Sequence, residues 1–166
     1  MKKILVPIVL AAALVTAIAS AQTLKDKPEK IVTFIKTKYD TEWYKHQASL
    51  WEKEVKKNTD NDDAWYYWFT ATRYYMMFDE ADEDVSDKAL TDIAYRLHKE
   101  RPDSYARYII DYECRHFISY KNQPDDLQDN MLKAIRMRPD FAPLFHRYVV
   151  YLQQTGRTDL MPGILK

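Results

Sequence analysis

Three stretches of the chain end a helix-like run in the same way, and an aromatic residue opens the run that follows each of them. They read LWEKEVKKNTDNDDAW (50–65), AYRLHKERPDSY (94–105) and LKAIRMRPDFAPLF (132–145). Pro102 and Pro139 are 37 residues apart, and Thr59 stands 43 residues before Pro102, where a further proline would fit the pattern. A two-helix unit that recurs every ~34 to 45 residues is typical of a helical solenoid. The sequence therefore predicts one helix–turn–helix unit used about three times.

Residues 1–21 have the composition of a secretory signal peptide. Two lysines open the segment, an apolar run occupies positions 4–18, and Ala19-Ser20-Ala21 ends it. Signal peptidase accepts small residues at these places, so we expect cleavage after Ala21. A membrane anchor is the alternative, but the apolar run is shorter than the roughly 20 residues that span a bilayer. The sequence thus predicts an exported protein, either periplasmic or secreted.

The composition of residues 22–166 excludes several classes of protein. Loss of the two N-terminal lysines leaves 23 basic against 25 acidic residues, a balance that creates no field to attract nucleic acid. Cys114 is the only cysteine, so no internal disulfide forms. We interpret it as a buried small side chain, with a reactive thiol or an intermolecular bridge as alternatives. The chain has only two glycines and no glycine- or serine-rich linker, which favours one all-helical domain.

The spacing of apolar residues predicts six helices after residue 40, at about 41–58, 63–78, 87–101, 103–121, 124–138 and 142–155. Asp40 and Ser86 suit the N-cap position, and Gly156 suits a left-handed C-cap. We interpret residues 22–40 as an N-terminal arm or short helix. The acidic stretch 79–84 is interpreted as a solvated loop, and a seventh helix should begin near residue 158.

The repeated unit resembles the tetratricopeptide repeat (TPR) family. In that family a repeat closes on a proline, and the next first helix carries an aromatic residue with large residues three, four and seven positions on. The matching residues are Trp65, Trp68, Phe69 and Thr72 in the first unit, Tyr105, Tyr108, Ile109 and Tyr112 in the second, and Phe145, Tyr148, Val149 and Leu152 in the third. Glu54 and Leu97 depart from the family at a position that favours a small residue.

The resemblance covers roughly residues 41–161 and implies antiparallel helix–turn–helix repeats stacked as a short right-handed TPR-like solenoid. Residues 41–166 would form this domain, with the last repeat incomplete. A solenoid end normally needs a capping helix. We therefore expect either that residues 158–166 pack as an irregular cap or that the natural protein continues beyond them.

The same resemblance implies a binding face. First helices of the family line a concave groove, and the groove-facing positions are the first, fifth, eighth and ninth after the aromatic residue. The residues predicted to form the site are Tyr66, Thr70, Arg73, Tyr74, Glu113, His146 and Gln153, with Ala106, Ile110, Cys114, Val150 and Gln154 at the remaining positions. The implied function is to bind a protein or peptide partner in the cell envelope without catalysis.

No other motif in the sequence predicts chemistry. The four histidines are scattered, and Glu113 with His116 forms one Glu-x-x-His pair where a dinuclear carboxylate site needs two. Residues 60–62 and 79–84 are rich in oxygen ligands but lack the glycine and glutamate of an EF-hand. No serine lies in a Gly-x-Ser-x-Gly context. We therefore expect no catalytic residue, metal or cofactor.

Two alternative functions remain open. The chain has 13 tyrosines, 4 tryptophans and 6 phenylalanines, and exposed rings of this kind can stack on sugars, so a glycan-binding helical module is one alternative. The other is the N-terminal helical arm of a larger enzyme. Against the first, we interpret most of these rings as core, namely Trp65, Trp68, Tyr105, Tyr108, Tyr112, Phe145 and Tyr148.

Overall fold

A computed structural model describes residues 24–31, 40–78, 83–114, 127–157 and 159, and this part of the chain contains six α-helices and no strand. The helices are α1 (Thr41–Lys57), α2 (Asp62–Phe78), α3 (Glu83–Glu100), α4 (Tyr105–Cys114), α5 (Leu127–Met137) and α6 (Ala142–Gln154). The all-α prediction is confirmed for these residues. The predicted signal peptide at 1–21, the helix start at Pro124 and the segment 160–166 lie outside them.

Each helix packs against the next one along the chain, and α2 also packs against α4. Most of the aromatic residues predicted as core are buried, namely Trp65, Tyr105, Tyr108, Tyr112 and Tyr148. Trp68 and Phe145 are only partly buried. Burial of large rings supplies most of the apolar contact in this helical core, since each ring removes much apolar surface from water.

Helix α1 begins and ends where the sequence predicts. The Asp40 side chain accepts a hydrogen bond from the Trp43 backbone N–H at 2.9 Å, and Asn58 forms the C-cap. An N-cap side chain of this kind satisfies one of the backbone donors that a helix start leaves without partners. Gln47 and Leu50 are buried in α1, which contacts both residues 24–31 and α2.

Residues 24–31 form an irregular arm that packs on α1, rather than a helix. The Glu29 N–H donates to the Gln47 side-chain oxygen at 2.7 Å, and the Trp51 indole N–H donates to the Glu29 carbonyl at 3.1 Å. Ile31 is buried in the core. Residues 22–23 and 32–39 of the predicted N-terminal arm or short helix at 22–40 lie outside the described ranges.

The predicted start of α3 is wrong. The helix begins at Glu83, so Ser86 lies inside it and does not act as its N-cap. The acidic stretch 79–84 is therefore helical in its last two positions. Carboxylates stabilise the positive end of a helix dipole, so an acidic run can form a first helical turn as readily as a solvated loop.

Helix α6 matches its prediction at both ends. Pro143 lies in the first turn, where its missing N–H costs no helical hydrogen bond. Gly156 follows the helix with a φ of 72°, in the left-handed region that glycine adopts without steric cost. The Arg157 N–H then returns to the Leu152 carbonyl at 2.8 Å, which satisfies one of the last carbonyls of the helix.

The turns before α2, α4 and α6 meet in space through a group of side chains that we call the turn cluster: Lys30, Asp63, Tyr105, Arg138 and Asp140. The Tyr105 hydroxyl donates to Asp63. Arg138 donates to Asp63 at 2.5 Å and to Asp140 at 3.1 Å, and Lys30 lies 3.8 Å from Asp63. Burial and the hydrogen bond to Asp63 raise the pKa of Tyr105, so its hydroxyl stays a donor. One ionic network thus joins the turns that follow the three repeated sequence stretches.

Within the described ranges, no helix combines the length and the apolar character needed to cross a bilayer.

Candidate binding face

The seven residues predicted to form the site lie on α2, α4 and α6, and the structure brings only some of them together. Arg73 on α2 and Glu113 on α4 form an ion pair. His146 and Gln153 lie on the exposed side of α6. Tyr66 and Thr70 are buried, and Tyr74 belongs to an aromatic group beside α1.

The centre of the face is Glu113, which two guanidinium groups hold. Arg73 donates to one carboxylate oxygen, and the Arg147 Nε forms a salt bridge with the other. The Glu113 side chain is only 7 % exposed, while those of Arg73 and Arg147 are 21 % and 20 % exposed. We call these three residues the face cluster. It links α2, α4 and α6 through the contacts of both guanidinium groups with Glu113.

Two polar residues of α6 stand beside the face cluster. His146 is exposed, and its pKa is lowered by partial burial and by the neighbouring charge of Arg147, with Glu113 acting in the opposite direction. Gln153 is exposed at the second-last position of α6, and the last residue, Gln154, accepts a hydrogen bond from the Tyr112 hydroxyl at 3.5 Å. This edge of the face therefore offers an imidazole and amide groups that can both donate and accept hydrogen bonds.

Tyr66 and Thr70 do not lie on a surface, contrary to the implied groove. Tyr66 is 1 % exposed, and its ring meets the Phe141 ring edge-on at 5.0 Å and the Tyr67 ring at 5.2 Å. Ala106, Ile110 and Cys114 at related positions of α4 are buried too. Neighbouring side chains, among them the Phe141 ring over Tyr66, cover these positions, so they lie inside the core rather than in a groove.

Tyr74 contributes to an aromatic edge at the end of α2. Its ring lies 5.2 Å from the Tyr44 ring and stacks on Phe78 at 6.3 Å with an interplanar angle of 12°. Phe78 is exposed, as is the preceding Met77. The candidate face is therefore aromatic and apolar at this end and charged at the face cluster.

Arg147 is the functional candidate that sequence reasoning missed. It lies two positions after Phe145, where the family's spacing assigns no groove residue. A signal was present nonetheless, because a carboxylate at an inward-facing helical position such as Glu113 needs a cationic partner. The sequence does not show which of the many arginines supplies it.

Cys114 is confirmed as a buried small side chain. It is a free thiol inside the core, and burial together with the nearby carboxylates of Asp111 and Glu113 raises its pKa. A thiol with a raised pKa carries little thiolate and reacts slowly. The residue therefore contributes packing rather than chemistry to α4.

No cluster of three or more histidine, cysteine or acidic side chains with metal-binding geometry occurs in the part of the chain that the structure describes. His116, the second member of the Glu-x-x-His pair, lies outside that part.

Comparison with known proteins finds no matching family model, no matching curated protein and no matching solved structure. The resemblance to tetratricopeptide repeats accordingly remains a prediction from the sequence motifs.

Proposed function

We propose that this chain is an exported TPR-like scaffold that binds a protein or peptide partner in the cell envelope through α2, α4 and α6 and catalyses no reaction of its own. Support for the repeat architecture comes from the packing of consecutive helices and from the additional contact of α2 with α4. In a stack of two-helix units, the first helices of adjacent units lie side by side in this way.

The observation that carries the proposal is the pair of partly exposed guanidinium groups at the face cluster. Glu113 contacts both of them, and both arginines retain about a fifth of their side-chain surface in contact with solvent. A guanidinium binds carboxylates with a planar set of donors, so it favours an acidic partner over a neutral one. The partner is therefore a peptide segment that contains aspartate or glutamate side chains.

The neighbouring groups fit the same class of partner. Exposed amides, such as that of Gln153, can bind the backbone of an extended peptide, because an amide both donates and accepts. The exposed rings at the Phe78 end offer apolar contact for a partner side chain. Residues 1–21 support the proposed location, since they have the pattern of a cleaved export signal.

A pull-down from an envelope extract tests this proposal. The exchange Arg147→Gln removes one cation of the face cluster, and Arg73→Ala combined with Tyr74→Ala removes the other cation and the adjacent ring. We expect each variant to lose most of the partner that the unchanged protein recovers. Arg136→Gln is the matched control, because Arg136 is an exposed arginine on α5 and has no part in the face cluster.

Circular dichroism should show that the variants keep their helices, so that a loss of recovery reports on the surface. Binding to the face cluster should also weaken as salt is added, since exposed charges are screened. Unchanged recovery by a folded Arg147→Gln variant would remove this face as the binding site.

A further inference from the structure

A second concave site lies between α1 and α3, over a different side of α2 from the face cluster. The cleft has a volume of about 310 Å³. Its lining residues are Glu52, Trp68, Thr72, Ala89, Asp92, Ile93 and Arg96. At about 100° per residue along a helix, Arg73 lies roughly 120° around α2 from the midpoint of Trp68 and Thr72. The cleft is therefore separate from the proposed peptide-binding face.

The aromatic part of the cleft is Trp68. All four tryptophans lie in the described ranges, and Trp43, Trp51 and Trp65 are buried. Trp68 is half-buried, and its ring borders the cleft. An indole ring with one side in the core and another at a cleft is held rigidly, so little conformational entropy is lost when a ligand stacks on it.

The polar groups of the cleft come from both walls. Glu52 on α1 is held by Lys56 at 2.6 Å, and Asp92 on α3 is held by Lys88 at 2.5 Å. Each carboxylate thus has a cation from its own helix, which leaves the cleft without a strong net charge. A ligand that matches such a site carries many hydrogen-bonding groups but no charge.

Arg96 completes the rim of the cleft. Its Nε donates to Glu100 at 2.7 Å, and the centre of its guanidinium lies 5.1 Å from the Trp65 ring and 5.7 Å from the Trp68 ring. These contacts hold the guanidinium over the Trp65 and Trp68 rings, so a ligand reaches only the part of the Trp68 indole that borders the cleft. The planar donors of Arg96 and the oxygens of Asp92 therefore stand on the same wall.

We infer that this cleft binds a neutral oligosaccharide. A pyranose ring has an apolar face of C–H groups, which suits stacking on the Trp68 indole, and an edge of hydroxyls, which suits the carboxylates, the Thr72 hydroxyl and the Arg96 guanidinium. The volume is at the lower end of the ~300 to 1,000 Å³ that ligand pockets usually have. It accommodates one or two sugar units.

The surface next to the cleft favours a chain of sugars over a single one. A shallow and mostly apolar depression of about 440 Å³ continues along α3, lined by Val85, Lys88, Ala89 and Asp92. It shares Ala89 and Asp92 with the cleft, and Val85 is exposed there. Further sugar rings of an oligosaccharide can lie along this depression with their apolar faces toward Val85.

Isothermal titration calorimetry of the full chain with three neutral trisaccharides, cellotriose, maltotriose and chitotriose, tests the inference. We expect at least one of them to bind and to quench tryptophan fluorescence. Glu52→Gln and Asp92→Asn should each weaken binding by about tenfold. Both residues are at the surface, so these exchanges leave the core intact. Trp68→Phe, which keeps a smaller aromatic ring, should weaken binding less than Trp68→Ala.

Arg147→Gln is the matched control, because Arg147 lies on α6, outside the lining of the cleft, and the exchange should leave sugar binding unchanged. The absence of heat and of quenching with all three trisaccharides at millimolar concentration would overturn the inference. Binding that survives both Asp92→Asn and Trp68→Ala would overturn it as well, because the sugar would then lie elsewhere. Neither result bears on the peptide partner, whose recovery depends on Arg147.

Discussion

The turn cluster and the face cluster both join α2, α4 and α6, yet they differ in composition and in their place along the helices. Each contains an acidic residue that receives donors from distant segments: Asp63 in the turn cluster and Glu113 in the face cluster. The turn cluster is neutral, with two cations, two anions and a tyrosine hydroxyl. The face cluster has two cations and one anion.

The turn cluster joins residues at the helix ends, where it holds the turns before α2, α4 and α6 in register. The face cluster lies along the helices, and its two guanidinium groups are partly exposed. Under the proposed function, these two groups also contact carboxylates of the partner.

The largest effect should come from removal of the carboxylate at the face cluster. Glu113→Ala leaves two partly buried guanidinium groups without their shared anion, and loss of one partner from a buried ion pair costs about 3 kcal/mol. Urea unfolding followed by circular dichroism measures this cost. Glu52→Ala is the control, because the Glu52–Lys56 pair is at the surface, where such pairs contribute less than ~1 kcal/mol. An equal loss of unfolding free energy in Glu113→Ala and Glu52→Ala would mean that Glu113 contributes no more to stability than a surface ion pair.

A smaller loss of stability is expected at the turn cluster. Asp63→Asn keeps an oxygen that can accept from Tyr105 but removes the charge that Arg138 contacts, and a charge-assisted hydrogen bond contributes about 1.5 kcal/mol. The same unfolding experiment measures it, with Asp60→Asn as the control at an exposed carboxylate that pairs with Arg101. If Asp63→Asn lowers the free energy of unfolding more than Glu113→Ala does, the turn cluster contributes more to stability than the face cluster.

The smallest effect is expected in the pKa of His146, which responds to the charges of Arg147 and Glu113. Partial burial and Arg147 lower the pKa of this imidazole below its usual 6.5. Arg147→Gln should therefore raise the pKa, whereas Glu113→Gln should lower it further, because the Glu113 charge raises it. An NMR titration of the histidine resonances measures both shifts. Arg136→Gln should leave the titration unchanged, and a shift there of similar size would show that the effect is not local.

The lowered pKa of His146 also makes the stability of the protein depend on pH. A histidine with a lowered pKa in the folded state binds a proton less readily than in the unfolded chain. Its contribution to stability is therefore complete above pH 6.5 and is lost as the pH falls below that value through the folded-state pKa. Arg147→Gln should reduce this dependence on pH, which unfolding curves at pH 5 and pH 8, chosen to bracket the transition at roughly 6.5, can show.

Local signals predicted the helices well where each signal has one structural meaning. The Asp40 cap, the Pro143 first turn and the left-handed Gly156 are of this kind, because each satisfies a backbone requirement of its own neighbourhood. Ser86 was misjudged because an acidic run before a serine is compatible both with a loop and with a first helical turn. The competing preferences are nearly equal locally, and packing decides between them.

The candidate site was predicted less well because its geometry depends on distant partners. The resemblance assigned Tyr66 and Arg73 to the same face, but Phe141 covers the first and Glu113 binds the second. Arg147 was absent from the predicted set. Trp68 was interpreted as core, although one side of its ring borders a cleft. Neighbours across helices, which spacing along one helix does not specify, account for each of these differences.

The sequence by itself determined local elements of this protein: the number of helices in the described ranges, the N-cap at Asp40, the left-handed Gly156 and most of the aromatic residues that form the core. The tertiary structure decided which charges meet. Arg73 and Glu113 are 40 residues apart, and Asp63 and Arg138 are 75 residues apart. Helix formation depends on contacts within a few residues, whereas an ion pair between helices exists only after packing has set their positions. The stacking of the helices therefore decided which charged side chains form each cluster.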